Sequence, residues 1–265
     1  MTTTTVDLEF DGAIAILRLN RPEVLNSMTS ALAKDARAAI AKVRNTPSAR
    51  ALIITGEGRA FCAGAELKDE FLEGDGKQSA SEQLNTTMRE DFNPWIKDID
   101  ELPIPVVAAV NGVAAGAGVG LALAADITIA ARSASFILTF CPKLGLIPDV
   151  GTTWYLPRRV GLARATALSL LGNKLGAETA AEWGLIWQCV DDALLSDSAM
   201  QIARALARLP SGMAIEMRRS LKQSHSNSLG AQLDYERERQ CVLIESAAFR
   251  EGVNAFREKR QPVFD

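Results

Sequence analysis

Histidine is all but missing: His225 is the single one in 265 residues. A Ser-His-Asp or Cys-His catalyst would have to use it, and it lies in the polar stretch Gln223-Ser224-His225-Ser226-Asn227, which reads as an exposed helix end. Cysteine is scarce as well. Cys62, Cys141, Cys189 and Cys241 stand far apart with no CxxC pair, so neither a structural zinc site nor a disulfide framework is expected. No metal is expected, and a reducing, cytoplasmic setting fits. An excess of positive charge is also absent. The 29 Lys and Arg face 32 Asp and Glu, a net charge of -3, so nothing draws the chain toward nucleic acid or an anionic membrane surface. The opening Met1-Thr2-Thr3-Thr4-Thr5-Val6-Asp7 has neither the basic nor the apolar part of a secretory signal, and export is not expected. From Leu102 to Ala125 no residue is charged, long enough to span a bilayer. Yet Pro103, Pro105, Asn111 and four glycines interrupt that run, which reads instead as a buried strand, turn and helix.

With 48% hydrophobic and 23% charged residues, a substantial core is feasible, in one large domain or two modest ones. The first half alternates short strands and helices, the pattern of an α/β layered domain. Val6 to Phe10 and Ala13 to Leu19 flank the hairpin signal Asp11-Gly12. Met28 to Val43 has helical spacing, and Ala51 to Thr55 is a buried strand stopped by Gly56-Glu57-Gly58. A second unit follows: helix around Ser81 to Ile99, strand Pro105 to Val110, helix Gly116 to Ala124, strand Asp126 to Ala131. Beyond Pro157 the chain reads as helical at Ala163 to Leu171, Ala177 to Trp183, Asp192 to Leu209 and Met213 to Arg257, with one short strand near Ile186 to Val190. No Pro, Gly or Ser linker divides the parts, so residues 1–195 and 196–265 form one continuous domain with a helical extension. Trp154, Trp183 and Trp187 are expected in the core.

Two strand-to-helix turns carry small residues: Phe61-Cys62-Ala63-Gly64-Ala65-Glu66-Leu67 and Asn111-Gly112-Val113-Ala114-Ala115-Gly116-Ala117-Gly118. One reading is that they let a ligand approach the backbone, with two amides forming an oxyanion hole. The other is that they only permit tight packing. Gly116-Ala117-Gly118-Val119-Gly120 fails the G-x-G-x-x-G pattern, which disfavours a dinucleotide site. Asp149 sits in the apolar loop Leu144-Gly145-Leu146-Ile147-Pro148-Asp149-Val150-Gly151, either as a general acid/base with a raised pKa or as ordinary turn and capping chemistry.

Three stretches coincide in order: Asn20-Arg21-Pro22-Glu23-Val24-Leu25-Asn26-Ser27, Gly58 to Leu67, and Asn111 to Gly118. Together they resemble the crotonase (enoyl-CoA hydratase/isomerase) superfamily over nearly the whole chain. The resemblance implies an α/β spiral of ββα turns, a helical C-terminal trimerisation region, and acyl-CoA thioester substrates with no further cofactor. It also implies a homotrimer or dimer of trimers, and an oxyanion hole from the amides of Ala65 and Ala117. Leu25 and Ala63 match positions that contact CoA, and the C-terminal Phe256, Arg257, Lys259 and Arg260 would meet its adenine and phosphate.

The two hydratase glutamates of the superfamily correspond here to Gly120 and Cys141, whereas Asp149 matches the lone catalytic carboxylate of the superfamily's isomerases. The segments Asn111 to Ala117, Ile129 to Ala134, Lys143 to Asp149, Leu171-Gly172-Asn173 and Glu182 to Gln188, together with Trp154, are similar to the branch that isomerises 1,2-epoxyphenylacetyl-CoA to an oxepin. Cys141-Pro142 is a departure that alters the acyl pocket wall. A shift of the double bond from 3-enoyl to 2-enoyl-CoA uses the same parts. Alternatives are an atypical hydratase, a hydrolytic aryl-CoA dehalogenase, and an RNA-binding or scaffold relative. The dehalogenases' tryptophan is replaced by Phe140.

Overall fold

The computed structural model describes residues 4–67 and 78–264. The chain enters as the predicted hairpin, β1 (Val6–Asp11) and β2 (Ile14–Leu19), paired antiparallel with Asp11 opposite Ile14. Helix α1 (Ser30–Arg44) begins where the Thr29 hydroxyl accepts the Leu32 amide at 3.1 Å, and it buries Leu32, Ala33, Ala36, Ala39, Ile40 and Val43 along one face.

From there each turn of the spiral lays one strand in each of two sheets. β3 (Ala51–Gly56) is followed by β4 (Ala60–Cys62), then by helix α2 (Ala80–Thr87), a π-helical turn at Met88–Phe92 and helix α3 (Asn93–Asp100). β5 (Val106–Val110), β6 (Val113–Ala115) and helix α4 (Ala117–Leu123) make the next turn. β7 (Ile127–Ala131), β8 (Ser135–Ile137), a π-helical turn at Phe140–Leu144 and helix α5 (Thr152–Leu171) make the third. β9 (Leu175–Gly176), helix α6 (Ala177–Glu182) and β10 (Gln188–Val190) close the sheets.

The larger sheet runs β1-β2-β3-β5-β7-β10 and is parallel from β2 onward. The smaller runs β4-β6-β8-β9. Parallel strands covered on both faces need continuous apolar runs, and β3 and β5 are buried at every residue. Helix α4 is likewise buried throughout, which explains the charge-free run from Leu102 to Ala125. Among the described residues no helix is long and apolar enough to cross a membrane. Helix α7 (Leu195–Leu206) packs Leu195, Ala199 and Ala203 onto β3, β5 and β7. The chain ends in helices α8 (Met213–Ser224), α9 (Leu229–Leu243) and α10 (Ala247–Glu258), which bury only Ala255.

Four expectations need correction. The glycine-bearing turns contain the short strands β4 and β6, which belong to the second sheet, and β9 adds another strand beyond Pro157. Helix α5 starts at Thr152, eleven residues before Ala163, with Pro157 inside it and a break at Gly161 (φ 76°, ψ 165°). The stretch Met213 to Arg257 is three helices. Trp154 and Trp187 are 39% and 72% exposed; Trp183 packs against the core only partly buried, and the fully enclosed indole is Trp95.

Candidate active site

The stretch Asn20 to Met28 is wired to Glu57 to Glu66 by a buried side chain. Asn26 accepts the Arg21 amide at 2.8 Å and donates to the carbonyls of Glu57 and Ala60 at 3.0 and 2.9 Å. Leu25 and Asn26 both take φ 55°, so the chain reverses tightly and presents the Leu25 carbonyl to the Ala63 amide at 3.0 Å. Leu25 and Ala63 therefore lie together. Arg21 also pairs with Glu66 at 2.7 Å.

Met28 then sets the direction of the Ala65 amide. It donates to the Gly64 carbonyl at 2.7 Å and accepts from Glu66 at 2.9 Å, a parallel bridge opposite Ala65. Successive amides of an extended chain point to opposite sides, so the Ala65 N–H faces away from Met28. On that far side lies the second turn. A Cβ on Gly64 (φ 96°) would come within 2.8 Å of the Ala115 carbonyl and 3.3 Å of the Ala117 nitrogen. With standard backbone dimensions this puts the two amide nitrogens within about 7 Å of each other.

Gly116 makes the second turn possible with φ 52° and ψ -126°, a conformation essentially reserved for glycine. Its amide is held by the Ile137 carbonyl at 2.9 Å, and Ala117 opens α4, where an amide has no intrahelical acceptor. Among the described residues neither the Ala65 nor the Ala117 amide donates to a backbone carbonyl. Asn111 braces the arrangement, accepting from the Gly56 amide and donating to the Gly58 carbonyl.

Asp149 is half-buried between buried Pro148 and Val150. Its Oδ1 is enclosed without a hydrogen-bond partner, and burial pushes its carboxyl up to about 6, opposed only by its own amide. The turn that carries it is unusual: Val150 has φ 52° and Gly151 φ 76°. A β-branched residue with positive φ is strained, and such residues cluster where a side chain must be held in place. The turn is closed by the Thr152 amide on the Asp149 carbonyl at 2.9 Å. It packs against α4 at Gly120, where a Cβ would lie 2.4 Å from the Val150 carbonyl and 2.7 Å from the Thr152 hydroxyl. Gly120 is three residues beyond Ala117, about 4.5 Å along the helix axis. The Asp149 turn thus rests one helical turn from the Ala117 amide.

Cys141 is half-buried in the π-helical turn beside Phe140, whose ring reaches the Gly116 loop. The Cys62 thiol, beneath the first turn, is fully buried and pushed up to about 12 by that burial. His225 caps the end of α8, exposed and far along the chain from these turns, as the sequence indicated. At the C-terminus Phe256 is 85% exposed and Lys259 takes φ 54°, whereas Arg260 is occupied by Glu251 and Glu258. Sequence reasoning gave no role to Asn26 or to the Arg21–Glu66 pair, although all three lie in the motifs it singled out.

The family model for enoyl-CoA hydratase/isomerase matches residues 9–265. The chain belongs to this family. It is 47% identical over 255 residues to the 1,2-epoxyphenylacetyl-CoA isomerase of Escherichia coli strain K12, covering 96% of this chain and 95% of that protein. It is 45% identical over 264 residues to a "probable enoyl-CoA hydratase" of Rhodobacter capsulatus, covering 100% and 99%. Among solved structures, the enoyl-CoA hydratase of Polaromonas sp. JS666 superposes with a TM-score of 0.90 at 30% identity, over 98% of this chain and 99% of that one. The architecture is therefore the crotonase fold with a helical C-terminal region, and the chain is an enzyme of the enoyl-CoA hydratase/isomerase superfamily.

Proposed function

We propose that this family member is an acyl-CoA isomerase that forms a thioester enolate, with 1,2-epoxyphenylacetyl-CoA as its preferred substrate. The observation that carries the reading is the Asp149 carboxylate, enclosed and raised by burial, on a turn that fills the space beside Gly120. A hydratase needs two carboxylates, one to activate water and one to move the proton. Here Gly120 has no room for a side chain, and Cys141 holds the other place. The 47% identity to an epoxyphenylacetyl-CoA isomerase supports the same choice.

In this mechanism the thioester oxygen accepts from the Ala65 and Ala117 amides. Ionised Asp149 removes a proton from the carbon next to the carbonyl, and the electron pair moves onto that oxygen. Each amide contributes about 3 kcal/mol to stabilising the developing charge. The protonated carboxyl then returns the proton to a different carbon. With a 3-enoyl chain the proton goes to C4 and the double bond moves to C2. With the ring epoxide, the proton goes to a ring carbon while the ring carbon–carbon bond of the oxirane opens to the seven-membered oxepin. Both are isomerisations; no atom enters or leaves.

Leu25 and Ala63 would line the CoA path, and Phe256 with Lys259 would meet its nucleotide end. Because α8, α9 and α10 leave Met217, Leu233, Val242 and Phe249 exposed, this region is assigned to contacts in a homotrimer or dimer of trimers. A cavity of about 500 Å³ between these helices belongs to the same surface.

Incubation with a panel of acyl-CoA thioesters in deuterated water, read by mass spectrometry, tests the reading. Deuterium incorporation and isomerised product without added water are expected, and Asp149→Asn should lose turnover while still binding CoA esters. A hydrated product, halide release from aryl-CoA halides, or full activity of Asp149→Asn would refute it.

A further inference from the structure

The turn that holds Asp149 is backed by two aromatic rings that the mechanism does not use. The Trp154 and Tyr155 amides both donate to the Gly151 carbonyl at 2.9 Å, so the rings leave the helix directly behind the turn. The Tyr155 ring lies against Gly151: a Cβ there would sit 2.7 Å from Cε2. Trp154 meets Tyr155 edge-on, with centroids 5.0 Å apart and planes at 86°. The indole is in turn clasped by two cations, the Arg158 guanidinium at 4.2 Å and the Lys222 ammonium at 5.9 Å from its centroid.

Lys222 comes from α8, and α8 is firmly tied to the spiral. Lys222 pairs with Asp100. Arg218, one helical turn earlier, pairs with Asp126 and donates to the carbonyls of Asp100 and Ile104 at 3.0 and 2.8 Å. A continuous line of contacts therefore runs from α8 through Trp154 and Tyr155 to Gly151, two residues from Asp149.

We propose that Trp154 is a positioning residue, which couples helix α8 to the Asp149 turn and keeps its left-handed backbone in place through Tyr155 and Gly151. A left-handed valine does not hold itself there, because relaxing its backbone is downhill unless the surroundings prevent it. An indole held by two cations and packed perpendicular to the ring behind the turn supplies that constraint. Trp154 touches neither the carboxyl nor substrate in this scheme. The groups facing the Tyr155 ring are Asp100, Asp126, Arg159 and Arg218, and the Asp149 carboxyl itself answers to burial rather than to any of these charges.

The inference rests on Asp149 being the proton carrier, and the test separates the two claims. In protein labelled with ¹³C at aspartate carboxyls, the Asp149 resonance is assigned by its loss in Asp149→Asn and followed through a pH titration, with no substrate present. Trp154→Ala is expected to move the midpoint toward the ordinary aspartate range near 4. It should also cut kcat about 10- to 100-fold with KM changed less than about threefold, the signature of misplaced chemistry rather than lost binding. Trp154→Phe keeps a flat ring and should recover most of both, and Lys222→Met should shift both in the direction of Trp154→Ala by a smaller amount. A folded Trp154→Ala with unchanged midpoint and kcat overturns the proposal. If Trp154→Ala does not fold, an unchanged midpoint and kcat in Lys222→Met overturns it equally. If Asp149→Asn stays active while Trp154→Ala still shifts the titration, the assigned reaction is wrong and the coupling stands.

Discussion

Asp149 shows what a carboxylate enclosed by apolar surroundings costs its host. Because burial holds its pKa near 6 rather than 3.8, the folded protein keeps this proton to higher pH than the unfolded chain does. Its contribution to stability is therefore complete below about pH 4, declines as pH rises through about 6, and is constant beyond. The shift corresponds to about 3 kcal/mol at most, and partial solvent contact reduces it to about 2. Asp149→Asn should accordingly be more stable than the parent at pH 8, by about 1 to 2 kcal/mol, and the advantage should vanish near pH 4. Denaturant unfolding at both pH values measures it. Under the proposed mechanism the same ionisation sets the rate, and kcat/KM is expected to rise with pH through about 6 and then level off. The carboxylate was legible in the sequence because an acid in an apolar loop stands out. Its left-handed turn was not, since Val150 is a residue that local rules keep out of that conformation and tertiary packing forces into it.

At the level of elements, the close approach of α4 to the Asp149 turn is the decisive contact. Gly120→Ala would drive a methyl into the Val150 carbonyl, so the turn must give way. Overpacking of this kind should cost about 1 to 3 kcal/mol and lower kcat without creating hydration activity, readable from thermal unfolding and product analysis of the same preparation. Among the elements, β3, β5, β7 and α1 were readable because each combines an unbroken apolar run or a helical stripe with clear stops. β4, β6 and β8 were not, because three residues are too few for any period to show. The start of α5 was hidden for a different reason: Gly151, Pro157 and Gly161 all read as helix breakers, yet the structure uses the first as a cap, tolerates the second and breaks only at the third. The direction of the Ala65 amide was equally invisible, since it depends on pairing with Met28, far from it in sequence.

At the scale of the whole molecule, a spiral with a dense aliphatic core carries three terminal helices in which only Ala255 is fully buried, although Arg218 and Lys222 tie α8 to the spiral. Exposed Met217, Leu221, Leu233, Val242 and Phe249 make these helices the surface proposed above for contacts between copies of the chain. Sedimentation velocity should find the parent as a trimer or hexamer, and Leu233→Glu on α9 should shift it toward monomer. A monomeric parent would remove that assignment without touching the chemistry assigned to Asp149.

The break at Gly161 divides α5 into two helical halves. The near half rests against the acid-bearing turn, while the far half buries Ala165 and packs Leu168 on the core, turning Leu162, Leu170 and Leu171 outward. A dye attached at one of these three outward positions would sit in solvent, beyond the break at Gly161 from the Asp149 turn. The outward leucines of α5 are thus natural places to decorate this enzyme.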